Sequence, residues 1–536
     1  MWKISCRRLD VASSLQAVRG ARNVSLLAVD IGSSSCKAVV FATRGAILAQ
    51  HSSSYMPEFP QPCYAEMDPE KFWDAVCVSC RTLTKGLKDP VRALCFSSHG
   101  ETFVAVDSQG RPLTAAILNQ DSRAILESAQ CEERIGRQRL FQITGLFAHP
   151  MYPIPKILWL RKHRPEIFRS TKSFLTLIGY LLEKMGLPPY VDYSLASRFL
   201  AFDVRRRCWS DDVLSATELD RACLPLPVPA GTVAGKLNSE AASQLGISAG
   251  TPVVLGGHDQ PCGALGAGVI SGGRVSDSIG TYECLLAASD APSLNDKALA
   301  ALLNSYCHVV PDKFVTLAYF PSGIMMKWFH DLLYLNGSGE ARSEASVLGL
   351  EASHYAFLEE HAPEQPTGLS ITPHLIGTCN PDFNPRARAL IAGLNPGTDR
   401  SQMYKGILEG LACELSIVTE SLAEAVGDFE DIYVTGGGAR SALGLKLRAA
   451  LTGCRLHVMR RQEAVCLGTA ILAGVAIGEY ASISQAVAEL VEESAVLDPD
   501  ETVAASYRDQ VKRYRQLRSA AVEQGEGFLV TDEEEA

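Results

Sequence analysis

The chain lacks a long apolar run, because no uninterrupted apolar stretch reaches the roughly 18 residues that a membrane-spanning helix needs. It also lacks an apolar segment followed by a small-residue cleavage site near its start, which is the pattern of a secretory signal. Hydrophobic residues make up 47% of the 536 residues and charged residues 21%, the composition of an ordinary globular protein. We therefore expect no membrane partner and a cytoplasmic location.

Positive charge is also in deficit. The chain has 50 lysines and arginines against 60 aspartates and glutamates, which gives a formal net charge of −10 and a pI near 5.7. Because nucleic-acid phosphates bind to basic surfaces, this balance argues against a nucleic-acid partner. The expected ligand is a small molecule.

Two common motifs for nucleotides and metals are missing. No G-x-G-x-x-G or G-x-x-x-x-G-K-[ST] sequence opens a helix after the first strand, which argues against a Rossmann or P-loop site. The 16 cysteines are scattered through apolar segments, and Cys77 and Cys80, which have metal-ligand spacing, have no second pair nearby. The scattered positions and the lack of a second cysteine pair favour buried reduced thiols over a zinc site.

What the chain does have is a hydroxyl-rich turn between two β-prone apolar runs near its start. The turn reads Asp30-Ile31-Gly32-Ser33-Ser34-Ser35-Cys36-Lys37. Exposed backbone N–H groups, serine hydroxyls and a lysine can bind an anion, and the carboxylate at the strand end can hold a hydrated divalent cation. A nucleotide phosphate is the expected ligand, and the alternative is a structural hairpin turn.

The length favours two domains, because 536 residues exceed what one hydrophobic core serves. Strand-then-turn patterns of the first half recur in the second, which suggests duplicated α/β domains facing a nucleotide cleft. We predict an N-terminal extension over 1–23, domains over 24–270 and 271–515, and a C-terminal tail over 516–536. The extension is interpreted as disordered or as an over-long start, and an Arg-rich transit peptide is the third alternative.

Two segments of the first domain receive specific predictions. Residues 151–225 are predicted to be mainly helical, with a helical core segment over 174–182. Residues 252–255 form an apolar strand that runs into Gly256-Gly257-His258-Asp259, and the helix that follows is rich in small residues. Small residues permit close helix packing.

A set of short motifs, in this order along the chain, resembles the FGGY carbohydrate kinases of the actin/hexokinase/Hsp70-like ATPase superfamily, over about residues 25–515. The motifs are Asp30-x-Gly32-Ser33-Ser34-Ser35-x-Lys37, Met67-Asp68-Pro69-Glu70, Asp121-x-Arg123, Lys156-Ile157-Leu158-Trp159-Leu160, Asp192-Tyr193-Ser194, Phe202-Asp203, Trp209-Ser210-Asp211, Gly256-Gly257-His258-Asp259, Gly280-Thr281, Asn384-Pro385-Arg386-Ala387-Arg388, Gly436-Gly437-Gly438 and Gly468-Thr469-Ala470. Each motif alone is weak, but the ordered set is specific. The resemblance implies an α/β fold of two actin-like (ribonuclease H-like) ATPase domains facing each other across a cleft.

The resemblance also implies a phosphoryl-transfer site. Asp259 is similar to the family's catalytic base, which takes the proton of an acceptor hydroxyl as it attacks the γ-phosphoryl group of ATP. The alternative for Asp259 is a helix N-cap, and the alternative for the glycine turn at 436–438 is a structural strand-to-helix turn. Asp30 would help to hold Mg²⁺ through water. The residues expected at ATP are Gly32, Ser33, Ser34, Lys37, Gly280, Thr281, Gly437, Gly438 and Ala439.

The sugar pocket is where the chain departs from the family. Glu101 and Thr102 resemble the glycerol kinase pattern, but Gly100 stands where that pattern has arginine. Asn119 stands where many members have tryptophan, and the family motif Gly-Glu-Arg-x-Pro is altered at 377–381. The substrate ligands implied by the resemblance are His99, Glu101, Asp121, Asp259 and Gln260. The alternative for Glu101 is a solvated loop acid, and the alternative for His99 is a strand cap.

Together these inferences predict an ATP-dependent kinase that phosphorylates a hydroxyl of a small ketose or polyol, such as a xylulose-like pentulose or glycerol. A homodimer is left open as the oligomeric state. One alternative is a non-catalytic sensor of sugar or nucleotide on the same fold, which would release no ADP with any sugar. Another is an actin-like filament or chaperone ATPase, which would hydrolyse ATP without sugar. The sequence names neither the sugar nor the hydroxyl.

Overall fold

The computed structural model describes residues 25–334 and 350–527. These residues form two large β-sheets with helices packed against them. The predicted N-terminal extension over 1–23 lies outside the described residues, as does the acidic run at 532–535.

The first large sheet belongs to the N-terminal half. Its strands, in spatial order, are Val233–Lys236 (β13), Pro252–His258 (β14), Val91–Ser98 (β5), Ser25–Ile31 (β1), Ser35–Ala42 (β2) and Ile47–Ser54 (β3). β1 and β2 form an antiparallel hairpin in which Asp30 is opposite Lys37. β1, β5 and β14 run parallel to one another, so their carboxyl ends meet at one edge of the sheet.

The second large sheet belongs to the C-terminal half. Its strands, in spatial order, are Asn304–Cys307 (β17), Phe314–Pro321 (β18), Tyr282–Ser289 (β16), Arg274–Ile279 (β15), Asp431–Thr435 (β21), Arg455–Met459 (β22) and Glu493–Leu497 (β23). β15 forms an antiparallel hairpin with β16 and a parallel pair with β21. This repeats the arrangement of β2, β1 and β5, so the prediction of two related α/β units is confirmed.

Shorter strands and the helices complete the structure. The short strands are Glu66–Met67 (β4), Phe103–Val106 (β6), Ala116–Ile117 (β7), Ser173–Thr176 (β8), Val191–Asp192 (β9), Phe202–Asp203 (β10), Cys208–Trp209 (β11), Pro227–Val228 (β12), Ser370–Ile371 (β19) and Ile391–Ala392 (β20). The helices of the N-terminal half are Pro69–Thr84 (α1), Ile125–Ile135 (α2), Arg137–Thr144 (α3), Pro153–His163 (α4), Pro165–Ser170 (α5), Leu177–Lys184 (α6), Tyr193–Ser197 (α7), Asp211–Thr217 (α8), Ser239–Leu245 (α9) and Asp259–Gly266 (α10). Those of the C-terminal half are Asp296–Ala300 (α11), Gly323–Tyr334 (α12), Leu350–Glu360 (α13), Arg400–Val426 (α14), Ala442–Thr452 (α15), Ala464–Ala476 (α16), Ile483–Leu490 (α17) and Glu501–Gly527 (α18).

Helices α10 and α16, which come from different halves of the chain, cross in direct backbone contact. A Cβ atom on Gly266 would lie 1.9 Å from the carbonyl oxygen of Ala464. A Cβ atom on Gly468 would likewise lie 1.9 Å from the carbonyl oxygen of Cys262. No side chain fits at either position, so the prediction of close helix packing after Asp259 is confirmed.

The prediction of a helical segment over 174–182 is wrong for its first three residues. Phe174 and Leu175 belong to β8, which pairs antiparallel with β6. The helix begins only at Leu177, where the Thr176 hydroxyl caps it by accepting the N–H of Gly179. The pairing with β6 joins residues about seventy positions apart, so no local pattern could indicate it.

The predicted start of a tail at residue 516 is also wrong. Helix α18 continues to Gly527, and Arg518 and Ala521 on it are buried. The Nε of Arg518 donates to the carboxylate of Glu414 on α14 at 3.0 Å, and its Nη1 pairs with Asp382. The helix is therefore part of the packed C-terminal half.

Two composition-based expectations concern thiols and membranes. Cys77 and Cys80 are buried in α1, and every cysteine that the structure describes is a free thiol. Among the described residues, no helix combines the length and the apolar character needed to cross a membrane.

Candidate active site

The carboxyl ends of β1, β5 and β14 bring the predicted catalytic and sugar-binding residues to one edge of the first sheet. The residues at or just beyond these ends are Asp30 on β1, His99 and Glu101 after β5, and Asp259 after β14. Parallel α/β sheets bind ligands at this edge. The strand register therefore assembles groups that are more than two hundred residues apart in the chain.

Asp30 is held in place by its neighbour in the sheet. The hydroxyl of Ser97 on β5 donates to Asp30 Oδ1 at 3.0 Å. Burial raises the pKa of Asp30 to about 6, although the Ser97 hydroxyl and the Lys37 ammonium act in the opposite direction. Lys37 itself pairs with Glu463, just before α16, at 2.7 Å. The lysine predicted to bind ATP is thus engaged by a carboxylate from the other half of the chain.

Asp259 is the first residue of α10, and His258 occupies the N-cap position. The alternative in which Asp259 is the N-cap is therefore wrong. The N–H of Gln260 donates to Asp259 Oδ1 at 2.6 Å. Burial, together with the carboxylates of Asp30 and Glu101, raises the pKa of Asp259 well above its ordinary value. A carboxylate with a raised pKa is a stronger base, which suits proton abstraction from a hydroxyl.

His99 has both ring nitrogens occupied by the protein. Nδ1 donates to the carbonyl oxygen of Ile31 at 2.9 Å, and Nε2 accepts from the hydroxyl of Thr102 at 2.8 Å. Burial lowers the pKa of His99, which keeps the ring neutral. Its contacts join β1 to the turn after β5, so His99 positions this turn and has no ring nitrogen left for a sugar hydroxyl.

Glu101 is buried and forms a short ion pair with Arg198. The Nε of Arg198 donates to Glu101 Oε1 at 2.5 Å. Burial has the largest single effect and would raise the pKa of Glu101, but the charge and hydrogen bond of Arg198, together with other nearby groups, lower it on balance. The alternative of a solvated loop acid is therefore wrong. Lys156 donates to the carbonyl oxygen of Glu101 at 3.0 Å, which fixes the backbone of the turn.

Asp121 is fully engaged by protein groups. Its carboxylate accepts from Arg123 Nε at 2.9 Å and from the N–H of Ala65 at 2.7 Å, and the residue is buried. The guanidinium of Arg123 also donates to Glu66 at 2.6 Å. The protein groups thus occupy the Asp121 carboxylate and do not leave it for a ligand.

The turns predicted to hold ATP come from both halves of the chain. Ser34, Gly280, Thr281 and Gly437 are exposed, whereas Gly32 and Ser33 are half-buried. A cavity between the two halves is lined by Asp259, Gln260, Ser276, Ser278, Thr435 and Gly436. The first half contributes the carboxylate and the second half contributes the hydroxyls.

The glycine turn after β21 is a packed strand-to-helix turn at two of its three glycines. A Cβ atom on Gly438 would lie 2.2 Å from Ile279 Cγ2, and one on Gly436 would lie 2.5 Å from the Ile279 carbonyl oxygen. These two glycines are required for packing against β15, and Ala439 beside them is buried. No atom of the described chain lies within 4 Å of a Cβ position on Gly437, so only this glycine leaves open backbone surface for a ligand.

Comparison with known families now identifies the chain. The model described as the FGGY family of carbohydrate kinases, N-terminal domain, matches residues 25–266, and the corresponding C-terminal domain model matches residues 275–477. The chain belongs to the FGGY family of carbohydrate kinases. It is accordingly an ATP-dependent phosphotransferase with an alcohol group as acceptor.

Individual relatives agree with this membership. The chain is 28% identical over 490 residues to a gluconokinase of Bacillus subtilis (strain 168), which covers 90% of this chain and 93% of that one. It is 28% identical over 496 residues to a xylulose kinase of Escherichia coli (strain K12), covering 92% and 98%. The structure matches gluconate kinase from Lactobacillus acidophilus with a TM-score of 0.84 and 22% identity, over 94% of this chain and all of that one. None of these matches supports the non-catalytic sensor.

In this FGGY kinase Arg198, which directly follows α7, is a residue of the site that the sequence did not predict. Besides Glu101, its guanidinium donates to Asn304 Oδ1 at 3.0 Å and lies 4.9 Å from the ring centre of Tyr306. A Cβ atom on Gly100 would lie 3.1 Å from Arg198 Cγ. Arg198 thus supplies a guanidinium beside the loop position where the glycerol kinase pattern has arginine and this chain has glycine.

Sequence reasoning had little signal for these residues. Arg198 follows the Asp192-Tyr193-Ser194 motif, but nothing in its local sequence indicates a buried ion pair with a residue 97 positions earlier. Asn304 and Tyr306 lie on β17, which belongs to the other sheet. One signal was present: Gly100 lacks the arginine of the glycerol kinase pattern, which indicates that another residue supplies the positive charge.

The described residues of this FGGY kinase fit Mg²⁺ only if substrate phosphates and water supply most of its ligands. Within 25–334 and 350–527, no group of three or more histidine, cysteine, aspartate or glutamate side chains is arranged to hold a metal. Asp30 offers a hard carboxylate oxygen at the end of β1, next to the turn predicted to bind nucleotide phosphate. Mg²⁺ is typically bound by one or two carboxylates together with substrate phosphates and water, and Asp30 meets that requirement.

Proposed function

We propose that this FGGY kinase transfers the γ-phosphoryl group of ATP to a hydroxyl of a small neutral ketose or polyol, with Asp259 as the catalytic base. The observation that carries the proposal is the placement of Asp259 at the carboxyl end of β14. There it is half-buried, has a raised pKa and lies at the same sheet edge as Asp30. Asp259 takes the proton of the acceptor hydroxyl while that oxygen attacks the γ-phosphorus and ADP leaves.

The charges around the acceptor site favour a neutral substrate. At this edge the carboxylates of Asp30 and Glu101 both act electrostatically on that of Asp259. The nearest guanidinium, that of Arg198, is already paired with Glu101. A carboxylate substrate would therefore meet acidic groups and an occupied cation, whereas sugar hydroxyls can both donate to Glu101 and accept from Arg198.

For the nucleotide, the proposal retains Gly32, Ser33 and Ser34 on one side and Gly280 and Thr281 on the other. The N–H groups of Gly32 and Gly280 are hydrogen-bonded within their own turns, so the hydroxyls of Ser33, Ser34 and Thr281 are the groups proposed for the phosphate oxygens. Gly437 is the proposed contact for the adenosine, because its backbone is uncovered. Asp30 is proposed to hold Mg²⁺ through water, and the bound ion would neutralise charge on the β- and γ-phosphoryl oxygens.

Two further properties complete the proposal. The domain division near residue 270 is retained, because the residue ranges of the two family models meet there, and the second domain is extended to Gly527 because α18 is packed. A cytoplasmic location is supported by the free thiols of the described cysteines, since reducing compartments keep thiols unpaired.

The direct test is the substitution Asp259→Asn, which keeps the side-chain size and removes the base. We expect phosphoryl transfer to fall by several orders of magnitude, while ATP and acceptor still bind with affinities close to those of the wild type. The assay measures ADP release over a panel of ketoses, polyols and aldonates, with and without acceptor. A matched control is Asp509→Asn on α18, whose side chain is 83% exposed.

Each outcome of this experiment has a meaning. Retained turnover in Asp259→Asn would overturn the base assignment. Preferred turnover of an aldonate over every neutral acceptor would overturn the neutral substrate class. ATP hydrolysis that is independent of any acceptor would point to the filament or chaperone ATPase alternative.

A further inference from the structure

We propose that His258 and Tyr306 position the catalytic carboxylate of Asp259, so that residues from both halves of the chain set the orientation of the base. The inference rests on the proposed role of Asp259. His258 immediately precedes Asp259 at the end of β14, and Tyr306 lies on β17 of the second sheet. The base is therefore tied to the opposite half through one imidazole ring.

The distances describe a continuous polar chain. The Tyr306 hydroxyl is hydrogen-bonded to His258 Nδ1 at 3.1 Å, and His258 Nε2 lies 3.2 Å from Asp259 Oδ1. The two rings are in contact, with centroids 5.6 Å apart. Both His258 and Tyr306 are buried, with exposed fractions of 5% and 0%. Water cannot easily replace either contact.

The protonation states of Tyr306 and His258 determine which atoms donate and which accept in this row of contacts. Burial raises the pKa of Tyr306, so its hydroxyl keeps its proton, and burial lowers the pKa of His258 to about 3, so the ring is neutral. A carboxylate in its basic form only accepts, and a bare ring nitrogen facing it would be repelled. Nε2 therefore carries the ring proton on the side of Asp259, and Nδ1 accepts a hydrogen bond from the Tyr306 hydroxyl.

The consequence for Asp259 is that one oxygen is anchored and the other remains for the substrate. The N–H of Gln260 donates to Oδ1, and the His258 contact also falls on Oδ1. Oδ2 is then the oxygen that receives the proton of the acceptor hydroxyl. Anchoring matters because a general base must lie within hydrogen-bond reach of that proton.

The neighbouring residues fix the position of the His258 imidazole. A Cβ atom on Gly100 would lie 3.2 Å from His258 Nε2, so the absence of a side chain at Gly100 creates the space for the ring. On the other side, the Arg198 guanidinium lies 4.9 Å from the ring centre of Tyr306. The ring of Tyr306 is thus held between His258 and Arg198, and separation of the two halves would release both contacts.

The test compares Tyr306→Phe, His258→Ala, His258→Gln and the double variant Tyr306→Phe with His258→Ala. Tyr306→Phe removes only the hydroxyl, so we expect kcat to fall on the order of tenfold, while KM for both substrates stays within about twofold. His258→Gln retains an N–H donor and should recover part of the kcat that His258→Ala loses. In the His258→Ala background, Tyr306→Phe should add no further loss, because the tyrosine acts through the histidine.

Controls separate positioning from general damage. Tyr480→Phe removes another buried hydroxyl, whose hydrogen bond to the Thr43 carbonyl oxygen joins the C-terminal half to the turn after β2. It should leave kcat unchanged. Thermal unfolding of each variant shows whether it is folded, and the comparison of His258→Gln with His258→Ala still decides the matter if Tyr306→Phe unfolds.

Failure of this inference can be distinguished from failure of the proposed function. If Asp259→Asn is inactive but Tyr306→Phe and His258→Ala retain the wild-type kcat, the positioning role is overturned and the base assignment stands. Equal loss in His258→Gln and His258→Ala, or additive losses in the double variant, would also overturn it. If Asp259→Asn is active, the base assignment itself is overturned.

Discussion

At the scale of single residues, the site of this FGGY kinase depends on side chains that are absent as much as on those present. Gly257 has a φ of 155°, and a Cβ atom there would lie 2.6 Å from Ser194 Oγ, which accepts the N–H of His258. Gly100 leaves room for both His258 and Arg198. Two glycines therefore determine where the functional groups around Asp259 can lie.

Substitution of Gly100 tests this view. In Gly100→Ala the added methyl would lie 3.1 Å from Arg198 Cγ and 3.2 Å from His258 Nε2, so both side chains must shift. We expect kcat/KM for the acceptor to fall about tenfold or more, because a misplaced catalytic group loses its near-attack geometry. Steady-state kinetics would measure this loss. Gly86→Ala is the control, because a Cβ atom on Gly86 meets nothing within 4 Å in the described chain, and unaltered kinetics in Gly100→Ala would contradict the assignment.

At the scale of secondary-structure elements, α18 is joined to α14 by a buried ionic cluster. The Glu414 carboxylate accepts from Arg518 Nε at 3.0 Å and from the Tyr514 hydroxyl at 2.6 Å. Burial opposes ionisation of Glu414, but the Arg518 guanidinium, together with His374 and the Tyr514 hydroxyl, outweighs burial and lowers the pKa to about 2. The segment that the sequence suggested was a tail is therefore a structural helix.

The same helix offers a matched pair of substitutions. Arg518→Met leaves Glu414 buried without its main cation, which should lower the free energy of unfolding by about 3–5 kcal/mol. Arg515→Met removes an exposed pair with Glu420, at 2.6 Å, and should cost about 0–1 kcal/mol. Urea unfolding followed by circular dichroism measures both. Equal effects of the two substitutions would contradict a structural role for Arg518.

Because the pKa of Glu414 is lowered, the difference in stability between the wild type and Arg518→Met should depend on pH. The ionised carboxylate stabilises the folded state most at pH values above its ordinary pKa of 4.5. This stabilisation is lost as the pH falls toward about 2, because the unfolded chain then binds the proton first. The stability difference between wild type and Arg518→Met should therefore shrink as the pH falls from neutral through this range. A difference that grows on acidification would contradict the assignment.

At the scale of the whole molecule, the crossing of α10 and α16 joins the two halves directly behind the site. Asp259 begins α10, and Glu463, which pairs with Lys37, immediately precedes α16. The contact between the backbones at Gly266 and Gly468 thus sets how the catalytic edge of the first sheet faces the second half.

Gly468→Ala tests the importance of this crossing. Its methyl would lie 1.9 Å from the Cys262 carbonyl oxygen, so the helices must separate and α10 must move. We expect a lower unfolding temperature and a kcat reduced about a hundredfold, because small displacements of a catalytic group have effects of that size. Gly263→Ala on α10 is the stability control, since its Cβ atom would make only an ordinary 3.4 Å contact with Val465. Equal stability of the two variants would contradict the steric argument.

Much of the molecule could be predicted from the sequence, for a physical reason. The hairpin at Asp30, the strand and turn before Asp259 and the small residues after it are local patterns, and hydrogen bonding and chain stiffness act over the same short range. In order along the chain, these patterns indicated the paired α/β units and the family. The ordered set of motifs therefore indicated phosphoryl-transfer chemistry before any contact was known.

Only the tertiary structure decided the rest, because buried charges take their partners from distant parts of the chain. It showed that His99 and Asp121 hold neighbouring protein segments in place, since their polar atoms are hydrogen-bonded to protein groups. It brought Arg198 to Glu101 and Tyr306 to His258, across 97 and 48 positions of sequence. The sequence indicated phosphoryl transfer to an alcohol group, and the packing of the two halves decided which side chains surround Asp259.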